Sequence, residues 1–383
     1  MVKIEGIKGE LHVIIIWQHA RNMETKIIND IESEFSIRAK HYIEWSEKTA
    51  YKNFSRFYAI KSRYAKGKMK HCGAGEFVLL VVEDSHPVYE DRQTNDGVVR
   101  VNKNLFDKKT LYRQWTGEGH KIHATNTVAE TSHNLALFFG VNYQDFVQSL
   151  SSTVPLSVEE NLVGHNGWRD FSEFFKVLNE TINYVVLRNF EGFFDNIVCD
   201  EHLDIDLLVA NYNEAMLVAN SKEVYPHNSR VVNQVLIQGE MVDFDFRCID
   251  DKYMDQHWSQ ALLNAKVLDQ AGFYKPATED YFYSLLYHAL IHKKTISADY
   301  LSRFESLSKS IGMEKLDTSR KNLLGLLSQF MKTNNIVFTE PNDLSVYYNT
   351  EDYQQSVSLQ RKVLTQFFHL KHRLKISLLR LTN

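Results

Sequence analysis

Leu203-Asp204-Ile205-Asp206-Leu207 and Val242-Asp243-Phe244-Asp245-Phe246-Arg247 are the two stretches that decide how this chain reads. Side chains alternate along a strand, so Asp204 and Asp206 share one face while Leu203, Ile205 and Leu207 take the other. The second stretch repeats the arrangement, with Asp243, Asp245 and Arg247 on one face and Val242, Phe244 and Phe246 opposite. If the strands are neighbours, three or four carboxylates converge, and like charges that close cannot all stay ionised without a counter-charge. Oxygen-only ligation suits Mg2+ or Mn2+, which bridge to phosphate oxygens. A lone Asp-x-Asp would equally suit a solvated strand face, or a glycosyltransferase holding a nucleotide-sugar diphosphate through Mn2+. The second acidic strand favours a divalent-metal site for phosphoryl-type transfer.

Working outward, residues 170–257 interleave short strands with helices, which predicts an α/β or α+β unit. From 258 to 383 the pattern is helical. Upstream, the β-branched runs 11–16 (LHVIII) and 76–82 (EFVLLVV), separated by helix-like segments, predict an α/β domain over 1–155. Residues 132–150 read as a helix interrupted near Gly140, and 151–168, with a Pro and two Gly, as a linker. The length of 383 residues, with 44% hydrophobic and 24% charged, fits two or three globular domains. A net charge of −4 argues against general nucleic-acid binding. Cys72, Cys199 and Cys248 are odd in number and widely spaced, so neither a disulfide framework nor a CxxC metal site is expected. The apolar run HVIII is too short for a signal segment or a membrane span. The expectation is a cytoplasmic chain.

The order YVVLRN (184–189), a loop, DIDLLV (204–209), VDFDFR (242–247) and a helix beginning TEDYFYSLLYHALIHK (278–293) resembles uncharacterised nucleotidyltransferase-fold proteins of the polymerase-beta superfamily. The resemblance spans roughly residues 170 to 300. It implies a nucleotidyltransferase-like mixed sheet, with Asp204 and Asp206 as paired metal ligands and Asp245 or Asp243 as the third carboxylate. It also implies work in surface-polysaccharide assembly, with a phosphorylated or nucleotide-activated sugar or polyol as donor and a glycan or lipid-linked glycan as acceptor. One departure matters. The superfamily's Gly-Gly or Gly-Ser before the first aspartate is here Leu187-Arg188-Asn189, which puts a nucleoside triphosphate donor in doubt. Arg188 suits a bidentate phosphate or carboxylate clamp or an ion pair, Arg247 shares the acidic face, and Lys293 adds charge for a phosphate. His288 and His292 lie one helical turn apart, but without an HExxH-type glutamate polar contacts are the favoured reading.

A second candidate lies in the first domain. Trp115-Thr116-Gly117-Glu118-Gly119-His120-Lys121-Ile122-His123-Ala124-Thr125-Asn126 packs two glycines, two histidines, a lysine and hydroxyls into one loop. Gly117 and Gly119 let the backbone approach an anion, and His120, Lys121, His123 and Thr125 can donate to it. The spacing matches no Walker A or Rossmann motif. Lys70 to Gly75, with Glu83 and Asp84, have the composition of further walls of that site.

The leading expectation is therefore a metal-dependent transferase of a nucleotidyl, sugar-phosphate or polyol-phosphate group, with Asp243 or Asp245 as base. Its alternatives are a glycosyltransferase centred on the N-terminal loop and a non-catalytic binding protein with a degenerate nucleotidyltransferase fold. At the C-terminus, Leu359, Val363, Phe367, Leu370, Leu374 and Leu378 form a helical apolar stripe beside basic residues. That stripe suits either packing on the helical region or a peripheral site on an anionic membrane.

Overall fold

The computed structural model describes residues 7–94, 97–152, 156, 158–190, 204–224, 232–313, 315–349 and 363–367. Contacts divide the chain into two compact units. The first is Met1–Thr181 with Leu217–Asn220 and Ile237–Gly239, and the second is Ile182–Met216, Ser221–Leu236 and Glu240–Asn383. The α/β and α+β class read from the sequence holds.

The first unit runs β1 (Glu10–Ile16), a 3-10 turn (Gln18–Met23), α1 (Glu24–Glu34), β2 (Ser36–Trp45), α2 (Glu47–Phe57), α3 (Ser62–Cys72), β3 (Gly75–Asp84), β4 (Tyr89–Thr94), β5 (Gly97–Asn102), α4 (Lys103–Trp115), β6 (Ile122–Ala124), α5 (Val128–Phe139), α6 (Tyr143–Ser149) and α7 (Phe171–Thr181). Its main sheet is antiparallel in the order β2-β3-β1-β6. The expected strands 11–16 and 76–82 are the two central ones, buried along nearly their whole length, which is why they read as continuous apolar runs. β2 is the edge, and its alternating exposed Arg38 and Lys40 discourage further pairing. Trp17, Trp45, Phe54 and Phe77 pack around one point, with ring centroids 4.8 to 5.4 Å apart.

Gly140 ends α5 in the left-handed conformation (φ 67°, ψ 23°), where the sequence placed a helix interruption. The segment expected to be a linker differs. Leu162, Val163 and Trp168 are buried, and the buried Arg56 guanidinium donates to the carbonyls of Leu162, Val163 and Val218. Polar and glycine residues there serve a folded-in loop that Arg56 satisfies, although burial lowers its pKa to about 9. Helix α7, read as the opening of the second domain at 170, packs on α5 and belongs to the first unit. Its apolar stripe, Phe171, Phe174, Phe175 and Leu178, is buried there.

The second unit contains β7 (Tyr184–Val186), β8 (Asp204–Val209), α8 (Tyr212–Val218, whose last residues count with the first unit), β9 (Lys222–Glu223), β10 (Val232–Ile237), β11 (Glu240–Cys248), α9 (Gln256–Asn264), β12 (Val267–Leu268), β13 (Tyr274–Lys275), α10 (Thr278–Ile291), α11 (Ala298–Ser310) and α12 (Arg320–Thr333). Its sheet has the order β7-β8-β11-β10-β9 and is mixed: β7 runs antiparallel to β8, and β11 parallel to it. The boundary expected at 257 is absent. Every residue of α10 from Tyr281 to Ile291 is buried, and that helix shares one core with Val185, Leu187 and Leu208 of the sheet region. A helix apolar all round has no solvent face and must sit inside such a core.

Among the described residues no helix is long and apolar enough to cross a membrane. Of the C-terminal stripe, residues 363–367 form a helical turn with Phe367 exposed. The remainder of 359–383, and with it the membrane reading, lies outside the described residues.

Gly140→Ala tests the helix stop. A Cβ there meets Val163 at an ordinary 3.7 Å, so backbone strain alone remains. We expect a loss of about 1 kcal/mol in urea unfolding; an unchanged midpoint would mean the cap adapts without cost.

Candidate functional site

In the second unit β8 and β11 pair in parallel with Asp243 opposite Asp204 and Asp245 opposite Asp206. Neighbouring parallel strands point side chains of paired residues to the same face, so the two Asp-x-Asp motifs stand side by side as the sequence anticipated. Depth separates them. Asp204 is exposed and Asp243 half-buried, whereas Asp206 and Asp245 are 1% and 7% exposed.

The deep pair is neutralised by arginines. Arg188 Nη2 lies 2.5 Å from Asp206 Oδ1, and Arg247 Nη2 lies 2.5 Å from Asp245 Oδ2. Arg247 reaches a second carboxylate, Asp343 Oδ2, at 3.0 Å. Both guanidiniums lie over the ring of Tyr253, at 5.8 and 4.6 Å from its centroid. Three buried carboxylates thus face two buried cations. Burial, reinforced by Asp204 and Asp245, raises the pKa of Asp206 despite Arg188. Burial likewise raises that of Asp245 against the pull of Arg247. Burial, the largest single influence, would lower Arg188, but Asp206 together with Tyr253, Tyr300 and Asp245 outweighs it and holds the guanidinium firmly charged.

Two atoms stand out. Asp245 Oδ1 and Arg247 Nε are buried without a hydrogen-bond partner among the described residues. Asp243 Oδ1 takes a 2.9 Å hydrogen bond from the Gln234 amide. His288 and His292 are not gathered with these carboxylates. His288 Nδ1 pairs with the Tyr253 hydroxyl at 2.6 Å, burial holds its pKa well below the usual value, and the His292 ring packs 4.1 Å from Tyr253. Lys293 is exposed. A small cavity of about 10 Å3, room for one water, is lined by Arg188, Tyr253, Ser284 and Tyr287. Among the described residues, no three His, Cys, Asp or Glu side chains are grouped so as to hold a metal ion as they stand.

Sequence reading missed Tyr253, Gln234 and Asp343. Asp343 carried no usable signal, because it meets Arg247 across 96 residues of chain.

In the first unit the loop after α4 turns on Gly117, Glu118 and Gly119, with φ of 77°, 63° and 82°. Lys121 Nζ folds back to the Thr116 carbonyl at 2.6 Å, and the His120 amide donates to His71 Nε2 at 2.9 Å. His123 and Thr125 are committed elsewhere. His123 Nε2 meets the Asn134 amide at 2.8 Å and its ring packs on Phe57 and Tyr58. Thr125 is fully buried, where its hydroxyl accepts from the Val13 amide and meets His12 and Thr131. Glu83 pairs with Arg38, and Asp84 accepts from Asn102 and Asn104, so neither forms a wall of the loop as composition suggested.

No protein-family model and no curated protein matches this chain.

Two stability predictions follow from the charge arrangement. Asp206→Asn leaves the Arg188 charge buried without its counter-ion and is expected to cost about 3–5 kcal/mol, whereas the exposed Asp204→Asn should stay within roughly 0.5 kcal/mol. Equal melting temperatures for the two variants would contradict the pairing. The second concerns Asp251, which burial raises to about 6 in spite of Arg247. A carboxyl whose folded pKa lies above its unfolded value contributes stability below the unfolded pKa and loses it as pH rises through the folded one. Asp251→Asn should therefore gain stability relative to the parent between pH 4 and 7, by roughly 3 kcal/mol at most. A pH-independent difference would show that Asp251 titrates normally.

Proposed function

We propose that the second unit is a metal-dependent transferase of a nucleotidyl, sugar-phosphate or polyol-phosphate group, of the nucleotidyltransferase type that the strand order resembles. The observation that carries this reading is the parallel register setting Asp204 beside Asp243 and Asp206 beside Asp245. The donor set fits a hard divalent cation in chemistry: carboxylates from two adjacent strands, with Asp245 Oδ1 buried and lacking a partner. Asp204, Asp206 and Asp245 would hold Mg2+ or Mn2+, which supplies neutralisation of charge on phosphoryl oxygens.

The chain's own groups divide the remaining work. Arg247 fixes Asp245 from one side and is itself anchored by Asp343, which sets the depth of that carboxylate. Arg188 is the cation best placed to exchange Asp206 for a substrate phosphate, since a guanidinium binds either anion through the same planar fork. Asp243, half-buried and held through one oxygen by Gln234, is better suited than the arginine-bound Asp245 to take the proton of an attacking hydroxyl. A phosphorylated or nucleotide-activated sugar or polyol as donor, and a glycan hydroxyl as acceptor, match these roles.

One observation favours a second reading, a binding protein with a degenerate site. An arginine already pairs with one oxygen of each deep carboxylate, and no finished metal cage stands among the described residues. Thermal unfolding with millimolar Mn2+ or Mg2+, with and without nucleotide, separates the two. A ligand bound only by the folded state stabilises it by mass action, by about 2.7 kcal/mol at a hundred times its dissociation constant. The transferase reading expects a higher midpoint for the wild type and none for Asp204→Asn. It also expects Asp243→Asn to keep the metal response while losing about 10²–10⁴-fold in turnover. No midpoint shift with either metal would leave the degenerate reading standing.

A further inference from the structure

The first unit gathers Lys68, Arg113 and Lys121, with His71 and His120, around the turn Gly117–Gly119. Lys68 Nζ lies 4.1 Å above the Tyr58 ring and makes no hydrogen bond or ion pair among the described residues. Arg113 spends its Nε on the Ile122 carbonyl at 3.1 Å, and its terminal nitrogens have no partner among the described residues. Lys121 uses Nζ on the Thr116 carbonyl, and His71 and His120 bring their ring centroids to 6.2 Å. None of the five forms an ion pair with a carboxylate among the described residues.

These groups share one electrostatic neighbourhood. Burial lowers the pKa of His71, and Lys121 and Lys68 lower it further. Burial also lowers His120, with Lys68 and Arg113 adding to the effect. Lys68 is lowered by burial and by Arg113. The histidines are held neutral beside the charged lysines and Arg113, and an anion would offset the repulsion that remains between Lys68 and Arg113. The turn also holds His71 close. Three successive residues have positive φ, and a Cβ at Gly119 would stand 2.2 Å from His71 Nε2, so glycine there keeps the imidazole against the turn.

We infer that Lys68, Arg113, His120 and Lys121 form an oxyanion site that takes a phosphate group, with His71 holding the turn in place. This inference rests on the first unit alone and does not depend on the carboxylate chemistry of the second. A dianionic phosphate is the ligand of choice: Arg113 offers a planar fork and the lysines offer point charges, a combination that binds phosphate oxygens strongly. His71 accepts from the His120 amide through Nε2, so its proton is on Nδ1 and it acts as a neutral positioning residue.

The test is calorimetric titration of the full chain, without divalent metal, using inorganic phosphate, a sugar monophosphate and a nucleoside diphosphate, at low and high salt. Wild-type protein should bind at least one of them, more weakly at high salt. Lys68→Met and Lys121→Met, made separately, should each weaken that binding by about tenfold or more, while Lys48→Met, at an exposed lysine of α2 outside the turn, should leave it unchanged. The arms identify the source: tightest binding of inorganic phosphate marks a free-anion site, and tightest binding of either ester marks a substrate site. Failure of all three ligands to bind the wild type, or unaltered affinity in both folded lysine variants, would overturn the inference.

Discussion

A guanidinium that holds two carboxylates at once sets the geometry of the acidic face in the second unit. Arg247 leaves β11 beside Asp245, binds it, and also binds Asp343 from the far end of the described chain. Remove that bridge and Asp245 would sit in an apolar core beside Asp206 with no counter-charge nearby except Arg188. Burying an unpaired carboxylate is costly enough that the strand ends would open or the group would take up a proton. The placing of both guanidiniums against the Tyr253 ring has the same origin: a ring face is an apolar surface that attracts a cation.

Much of this was legible in the sequence, because strand alternation is a local property. The two Asp-x-Asp faces, the buried central strands of the first unit and the break at Gly140 all follow from spacing and turn chemistry. Pairing is different. Nothing in the periodicity says that Arg188 meets Asp206 or that Asp343 returns to Arg247, since side chains far apart in sequence meet only through the fold. The same limit explains α7 and α10. Both segments read as helical in the sequence, but a helical pattern names neither the unit that receives α7 nor the core that encloses α10.

Polar residues in loops misled in a specific way. His123 and Thr125 lie in a stretch dense with glycine and histidine and so read as ligand-facing, yet they satisfy hydrogen bonds inside the first unit. The fully buried His12, which meets both Thr125 and Asn102, was unmarked because it sits within an apolar strand run. Buried polar groups require partners, so a polar loop beside an unexpected polar strand residue is better read as half of an internal network. Conversely the sequence singled out neither Lys68 on α3 nor Arg113 on α4, whose helices are linked by the turn at Gly117–Gly119 through the His120 amide on His71.

The bridge from Arg247 to Asp343 also has a consequence for biosynthesis. A ribosome releases β11 long before it releases residue 343, so Arg247 and Asp245 must wait, partly compensated, until almost the whole second unit has emerged. Helix α10, apolar on every side, has to be sheltered over the same interval. The second anchor of the acidic face is thus among the later contacts that synthesis can supply, and a chain cut short before Asp343 would leave Arg247 with Asp245 as its one hydrogen-bonded carboxylate among the described residues.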